Sequence, residues 1–267
     1  GAFASIGSSW LEQGKLAEGL AAFEKSDALY AKHHPEAYGR LFTKLGLGNI
    51  AFQRAHYADA LSLYEEALQI VLRARGRRSK AAMGIIYSIG IAKSALGDVD
   101  GGRAALLEAV EISENVAGEY SATAVSALDA LANDYVVSEP AKALVYASKS
   151  VAMGRRIFEP SNAAFAASLV RQGNLLRVLG RIPEAIEALE EGVAATEATE
   201  VSSYVLGAAH FRLAQVLWSV DGEVERAEVL MQQAREEFGA AEEAQGQVKA
   251  EYLDRWVAAV PKAARSK

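Results

Sequence analysis

Apolar residues recur at helical spacing along most of this chain, and short polar segments with glycine interrupt them. The stretch from Arg171 to Gly192 shows the pattern most clearly. Its first apolar segment contains Gly173 and ends at Gly180, and its second contains Ala185 and Gly192. Seven residues make about two helical turns, so Ala185 and Gly192 lie on one face of the second segment. The stretch therefore predicts a helical hairpin, with a glycine turn between its helices.

The same hairpin pattern recurs through the chain at intervals of 41 or 42 residues. We name the first helix of each hairpin the A helix and the second the B helix. Each A helix has one small position, occupied by Gly7, Gly48, Gly90, Ala132, Gly173 and Ala214. Each B helix has two, occupied first by Gly19, Ala60, Gly102, Ala143, Ala185 and Ala227, and then by Ser26, Ala67, Ala109, Ser150, Gly192 and Ala234. Complete columns in one register indicate an internal repeat.

The repeat resembles the tetratricopeptide repeat (TPR) motif, in which a Leu-Gly pair and an aromatic residue precede a glycine turn and an alanine-rich B helix. Examples are Ile6-Gly7-Trp10-Gly14-Phe23, Leu47-Gly48-Tyr64-Ala67 and Leu213-Ala214-Leu217-Ala227-Ala234. The period exceeds the usual 34 residues of that family. The excess, about two helical turns, resembles the long-helix variety of kinesin light chains and many bacterial signalling proteins. The resemblance implies an all-α fold, a right-handed α-solenoid of about six TPR helical hairpins plus a C-terminal capping helix.

The register also predicts the organisation of the chain. We expect a TPR array over residues 1–239, a capping helix over 240–260 and a tail over 261–267. The expected repeats span about residues 2–33, 35–75, 79–116, 119–158, 161–199 and 201–238. Because the first residue is Gly rather than Met, we expect the sequence to be part of a longer protein.

Composition excludes several classes of partner. The 267 residues have a net charge of −6 and a pI near 5.4, so no overall positive field favours nucleic acid or a membrane surface. No apolar run reaches the length of about 18 residues that spans a bilayer. The chain has no cysteine, so disulfides and thiol chemistry are excluded. We expect a cytoplasmic protein.

No pattern of residues predicts catalysis, a cofactor or a metal. The four histidines, His33, His34, His56 and His210, lack metal-ligand spacing, and we expect them to be structural or solvated. We therefore expect a protein that is not an enzyme. The basic run Arg73, Arg75, Arg77, Arg78 and Lys80 has two interpretations: a docking patch for an acidic segment, or a solvated loop whose cations favour a helix C-terminus.

The predicted inner face of the array provides the candidate binding site. The residue after each small position of the A helix is often an amide, at Asn49, Asn133, Asn174 and Gln215. One helical turn before or after this amide position, the late repeats have basic or aromatic residues: Arg171, Arg177, Arg212 and Trp218. Amides both donate and accept hydrogen bonds, and guanidinium groups match carboxylates, so these residues predict a groove for an acidic peptide. The alternatives are that the amides hold neighbouring helices and that Trp218 belongs to the core.

Two classes of function follow. The first is a non-catalytic scaffold for protein–protein interaction that binds a peptide or partner domain in its concave groove. The second is a regulatory or sensor module of a larger signalling protein, which binds a small ligand or its own catalytic domain. The closing run KAEYLDRWVAAVP resembles the end of repeat regions that follow bacterial Ser/Thr protein kinase domains. An exposed array end would also allow a homodimer.

Overall fold

The computed structural model describes residues 2–34, 36–116, 121–199, 201–241 and 244–259, and all regular elements in these ranges are α-helices. The helices are α1 (Ala2–Glu12), α2 (Leu16–His33), α3 (Arg40–Gln53), α4 (Tyr57–Arg75), α5 (Lys80–Ala95), α6 (Val99–Val116), α7 (Ala122–Tyr135), α8 (Pro140–Ile157), α9 (Ala163–Val178), α10 (Ile182–Glu197), α11 (Ser203–Leu217), α12 (Val224–Ala240) and α13 (Ala244–Ala259). The predicted all-α fold of helical hairpins is confirmed. The predicted tail lies outside the described residues, and the predicted domain boundaries stay a prediction.

The chain divides into two compact units, Gly1–Asp134 (unit 1) and Tyr135–Lys267 (unit 2). Helices that follow one another in sequence pack together from α1 to α6 in unit 1 and from α8 to α13 in unit 2. Successive A helices also contact one another, as in the pairs α1 with α3, α9 with α11, and α11 with α13. In unit 2, α9, α11 and α13 therefore form a continuous layer of A helices.

The small positions let the two helices of a hairpin approach closely. A Cβ atom added to Gly48 would lie 2.5 Å from the ring of Tyr64 on α4. A Cβ atom on Gly173 would lie 2.5 Å from Cγ of Leu189 on α10. Since carbon atoms in contact are about 3.5–4.0 Å apart, glycine is what allows the large B-helix residue to fill this space.

Several A helices end in the same hydrogen-bonded turn. After α1, the Gly14 N–H donates to the Leu11 carbonyl and the Lys15 N–H donates to the Trp10 carbonyl, at 2.9 and 2.8 Å. This pair of bonds defines a Schellman motif, which requires a left-handed residue at its centre. The turns at Gly97 and Gly180 have the same bonds and positive φ angles of 90° and 72°. These glycines explain where the A helices stop.

The last helix keeps the phase of the repeat. Helix α13 begins at residue 244, 41 residues after α11 begins at residue 203, so it takes the place of another A helix. Its residue 42 positions after the small Ala214 is Trp256. The Trp256 ring packs edge-on against Trp218, which directly follows α11, and against Phe211 of α11, with ring centroids 5.7 and 6.0 Å apart. A large aromatic residue thus replaces the small residue of the earlier A helices.

Candidate functional site

Two arginines of unit 2 are held by the amides that the sequence singles out. On α9, Arg177 donates from Nε and Nη2 to the side-chain oxygen of Asn174, at 3.2 and 3.0 Å. On α11, Arg212 donates from Nη1 to the side-chain oxygen of Gln215, at 3.0 Å. We call these four residues the arginine site. The amide oxygens are used inside the protein, and both arginines are thereby oriented.

The two guanidinium groups converge. Asn174 and Gln215 occupy the same position of their hairpins, because each follows the small residue of its A helix. Arg177 lies three residues after its amide and Arg212 three residues before, a rise of about 4.5 Å along each helix. Each side chain reaches along its helix to the amide, so both charged groups come to the same level. Helices α9 and α11 are in contact, and the repulsion between Arg177 and Arg212 that lowers the pKa of Arg212 indicates that the two charged groups lie near each other.

Both guanidinium groups are partly buried and lack a counter-charge among the described residues. Burial lowers the pKa of Arg177, and burial followed by repulsion from Arg177 lowers the pKa of Arg212. Other arginines of unit 2 form ion pairs: Arg155 with Glu191, Arg181 with Glu184, Arg226 with Glu190, and Arg235 with Asp254. In the part of unit 2 that the structure describes, Arg177 and Arg212 have only amides as hydrogen-bond acceptors. Their positive charge is therefore available to an anionic ligand.

Helix α13 contributes residues that sequence reasoning missed. Tyr252 packs edge-on against Phe211, with ring centroids 5.9 Å apart, and lies close enough to both arginines to influence the pKa of each. Lys249 Nζ lies 5.8 Å from the centre of the Tyr252 ring. The 41-residue phase of α13 is the sequence signal that would have placed this helix next to α11.

The other predicted site residues have different surroundings. Trp218 is 6% exposed and packs against Trp256, which supports the core interpretation of its ring. Asn49 accepts a hydrogen bond from the Tyr64 hydroxyl at 2.9 Å, an example of an amide that joins the helices of a hairpin. Asn133 is exposed near the end of α7, and Arg171 is half-buried on α9. Asn49 and Asn133 belong to unit 1, so they are not part of the arginine site.

The basic run between α4 and α5 is used within unit 1. Arg73 forms an ion pair with Glu36, Arg77 with Glu108, and Arg78 with Glu111, at 2.8, 2.5 and 3.7 Å. The Arg75 guanidinium lies 5.6 Å from the centre of the Tyr38 ring. These contacts favour the interpretation of the run as helix-end charges over a docking patch.

One histidine is buried between two carboxylates. His210 on α11 is 3% exposed, with Nδ1 2.9 Å from a carboxylate oxygen of Glu237 on α12 and Nε2 3.3 Å from Glu197 on α10. The contact joins three helices, which is a structural role. His33, His34 and His56 are exposed.

Within the described ranges, no three acidic or histidine side chains cluster in a way that would hold a metal ion. None of the described helices combines the length and apolarity needed to cross a bilayer.

Comparison with known proteins gives the class of the chain. The family model of the tetratricopeptide repeat matches residues 43–79. The structure of BtubC (BKLC) from P. vanneervenii matches with a TM-score of 0.72 and 18% identity, over 85% of this chain and 91% of that one. Kinesin light chain TPR-like repeats from Podosopora anserina match with a TM-score of 0.62 and 21% identity, over 77% and 96% of the two chains. No curated protein sequence matches.

The chain thus has an all-α helical-repeat fold similar to that of tetratricopeptide repeat proteins, and its predicted resemblance to kinesin light chain repeats is confirmed. The apo quorum sensor NprR from B. thuringiensis has the same fold, with a TM-score of 0.73 and 15% identity, over 94% of this chain and 68% of that one. Identities this low establish the shared fold, and the arginine site is described from this chain alone.

Proposed function

We propose that this chain is a non-catalytic scaffold that binds an acidic segment of a protein partner on the A-helix layer of unit 2. The observation that carries the proposal is the arginine site, where two partly buried cations are oriented by amides and have no described carboxylate beside them. A partner carboxylate would supply the missing counter-charge.

The geometry of Arg212 suits a carboxylate. Its Nη1 group is occupied by Gln215, and its Nε and Nη2 groups have no acceptor among the described residues. That edge of a guanidinium group forms two parallel hydrogen bonds with one carboxylate. Arg177 reinforces the attraction from the neighbouring helix. Because both arginines are already held in place, little side-chain entropy is lost on binding.

The proposal is tested with two capped peptides, hexaglutamate and hexaglutamine, titrated into the whole chain by calorimetry. We expect binding of hexaglutamate only, with an affinity that falls as salt is added because screening weakens charge attraction. The variant Arg177→Gln with Arg212→Gln is expected to lose at least about tenfold in affinity, since charged hydrogen bonds contribute about 1.5–3 kcal/mol each.

The matched control is Arg155→Gln with Arg226→Gln, which removes two arginines that already have carboxylate partners. The control is expected to bind hexaglutamate like the wild type, and circular dichroism verifies that both variants keep their helicity. If both variants lost the same affinity for hexaglutamate, binding would depend on net charge and not on the arginine site. If neither variant lost affinity, the proposed function would be overturned.

A second candidate is a regulatory module of a larger signalling protein, such as a bacterial Ser/Thr kinase. The observation that favours it is the shared fold with NprR, which is described as a quorum sensor. A module of this kind responds to a small ligand, so succinate alone should raise the melting temperature as much as hexaglutamate does. A homodimer and a cytoplasmic location are expected with either function. Light scattering tests for the dimer.

A further inference from the structure

We infer that the acidic group recognised by the arginine site is a phosphorylated side chain, in preference to the carboxylate of Asp or Glu. This inference rests on the proposed function and specifies the ligand of the same site. It is based on the number of positive charges at the site and on the contribution of α13.

The charge of the site matches a dianion. Two guanidinium groups converge at one level of α9 and α11, and the proximity of Arg177 lowers the pKa of Arg212. Lys249 of α13 adds a third cation next to Tyr252. One carboxylate would neutralise only one of the two converging charges. A phosphomonoester carries close to two negative charges at neutral pH, so it would neutralise both.

The donors of the site match three phosphate oxygens. Arg212 presents its Nε and Nη2 groups, and Arg177 presents Nη1, which has no acceptor among the described residues. Tyr252 supplies a hydroxyl group from α13, and its ring is fixed against Phe211. A planar carboxylate has two oxygens and uses the Arg212 edge completely. A tetrahedral phosphate has further oxygens for Arg177 and Tyr252.

The test compares three capped pentapeptides, Gly-Gly-X-Gly-Gly, in which X is phosphoserine, glutamate or glutamine. At pH 7.5 we expect the phosphoserine peptide to bind at least about tenfold more tightly than the glutamate peptide, the effect of one additional charged hydrogen bond. At pH 5.0 the phosphate is mostly a monoanion, because its second pKa is about 6. Its affinity is then expected to fall about tenfold, while that of the glutamate peptide changes little.

Tyr252→Phe keeps the ring on Phe211 and removes only the hydroxyl. We expect this variant to lower the affinity for the phosphoserine peptide several-fold and to leave the affinity for the glutamate peptide unchanged. The control is Tyr146→Phe on α8, which should change neither affinity. Equal affinity for the phosphoserine and glutamate peptides, or a Tyr252→Phe variant that behaves like the wild type, would overturn the inference and leave the proposed function intact. If the affinity for neither peptide depended on Arg177 and Arg212, the proposed function itself would be overturned.

Discussion

Lys44 and His210 occupy the same position in two different hairpins, and each is a buried cation-forming residue between carboxylates of the two adjacent B helices. Lys44, on α3, lies 3.1 Å from Asp27 on α2 and 3.0 Å from Glu66 on α4. His210, on α11, contacts Glu197 on α10 and Glu237 on α12. The three intervening hairpins have an aliphatic residue at this position, at Ile86, Leu128 and Leu169. The same helix contact is therefore made either by polar side chains or by apolar packing.

This equivalence predicts that the polar contact at residue 210 is replaceable. His210→Leu alone should destabilise the chain by about 1–3 kcal/mol, because Glu237 is mostly buried and loses its partner. Adding Glu237→Gln should recover part of the loss, because a neutral amide costs less to bury without a partner than a carboxylate does. Thermal unfolding of the single and double variants measures this. A double variant less stable than His210→Leu would contradict the equivalence.

The acid sensitivity of unit 1 should depend on Asp27. Burial raises the pKa of this carboxyl, but hydrogen bonds and attraction from Arg40 and Lys44 outweigh it, so the net pKa lies below its usual value. A carboxyl with a depressed pKa in the folded state contributes stability above its unfolded pKa, about 3.9, and loses it as the pH falls further. Wild-type stability should therefore decline more steeply below pH 4 than that of Asp27→Asn. Parallel decline of the two proteins in acid melting curves would refute this.

Ala55 marks a site of backbone strain. It is the residue at the centre of the turn after α3, where the corresponding turns have Gly14, Gly97 and Gly180, and its φ angle is 60°. Its N–H donates to the Phe52 carbonyl as in those turns. Ala55→Gly should stabilise the chain by about 0.5–1 kcal/mol, since glycine adopts this conformation without a steric cost. Gly97→Ala is the reciprocal control and should destabilise by a similar amount. Calorimetric melting temperatures that move in the same direction for both variants would contradict the strain.

The arginine site should lower the free energy of unfolding when no ligand is bound. Arg212 is partly buried, repelled by Arg177 and without a described counter-charge, so Arg212→Met should raise the free energy of unfolding by about 1 kcal/mol. Arg226→Met removes an arginine paired with Glu190 and should be neutral or slightly destabilising. Denaturant titration of both variants compares these effects. A destabilised Arg212→Met protein would show that the arginine mainly supports the fold.

The sequence predicts the hairpins because their period and their small positions are properties of the chain itself. Gly48 against Tyr64 and Gly173 against Leu189 follow from helix spacing alone. The arginine site is only partly predictable, since the sequence identifies Arg177 and Arg212 but not the rotamers that turn both toward their amides. Tyr252 was missed because its place beside α11 depends on how α13 packs. The position of Trp218, three residues after Gln215, predicts the groove or the core equally, because its partner Trp256 stands where the earlier A helices have a small residue.

The most direct measurement is an NMR titration that follows the side-chain Nε–H signals of the arginines as hexaglutamate is added to the whole chain. Among the described residues, none accepts a hydrogen bond from Nε–H of Arg212, and Arg177 lies near Arg212. We predict shifts at Arg212 and Arg177 that saturate together, with Arg155 and Arg226 unchanged. Shifts confined to other arginines, or no saturable shift at Arg212, would contradict binding of an acidic segment at the arginine site.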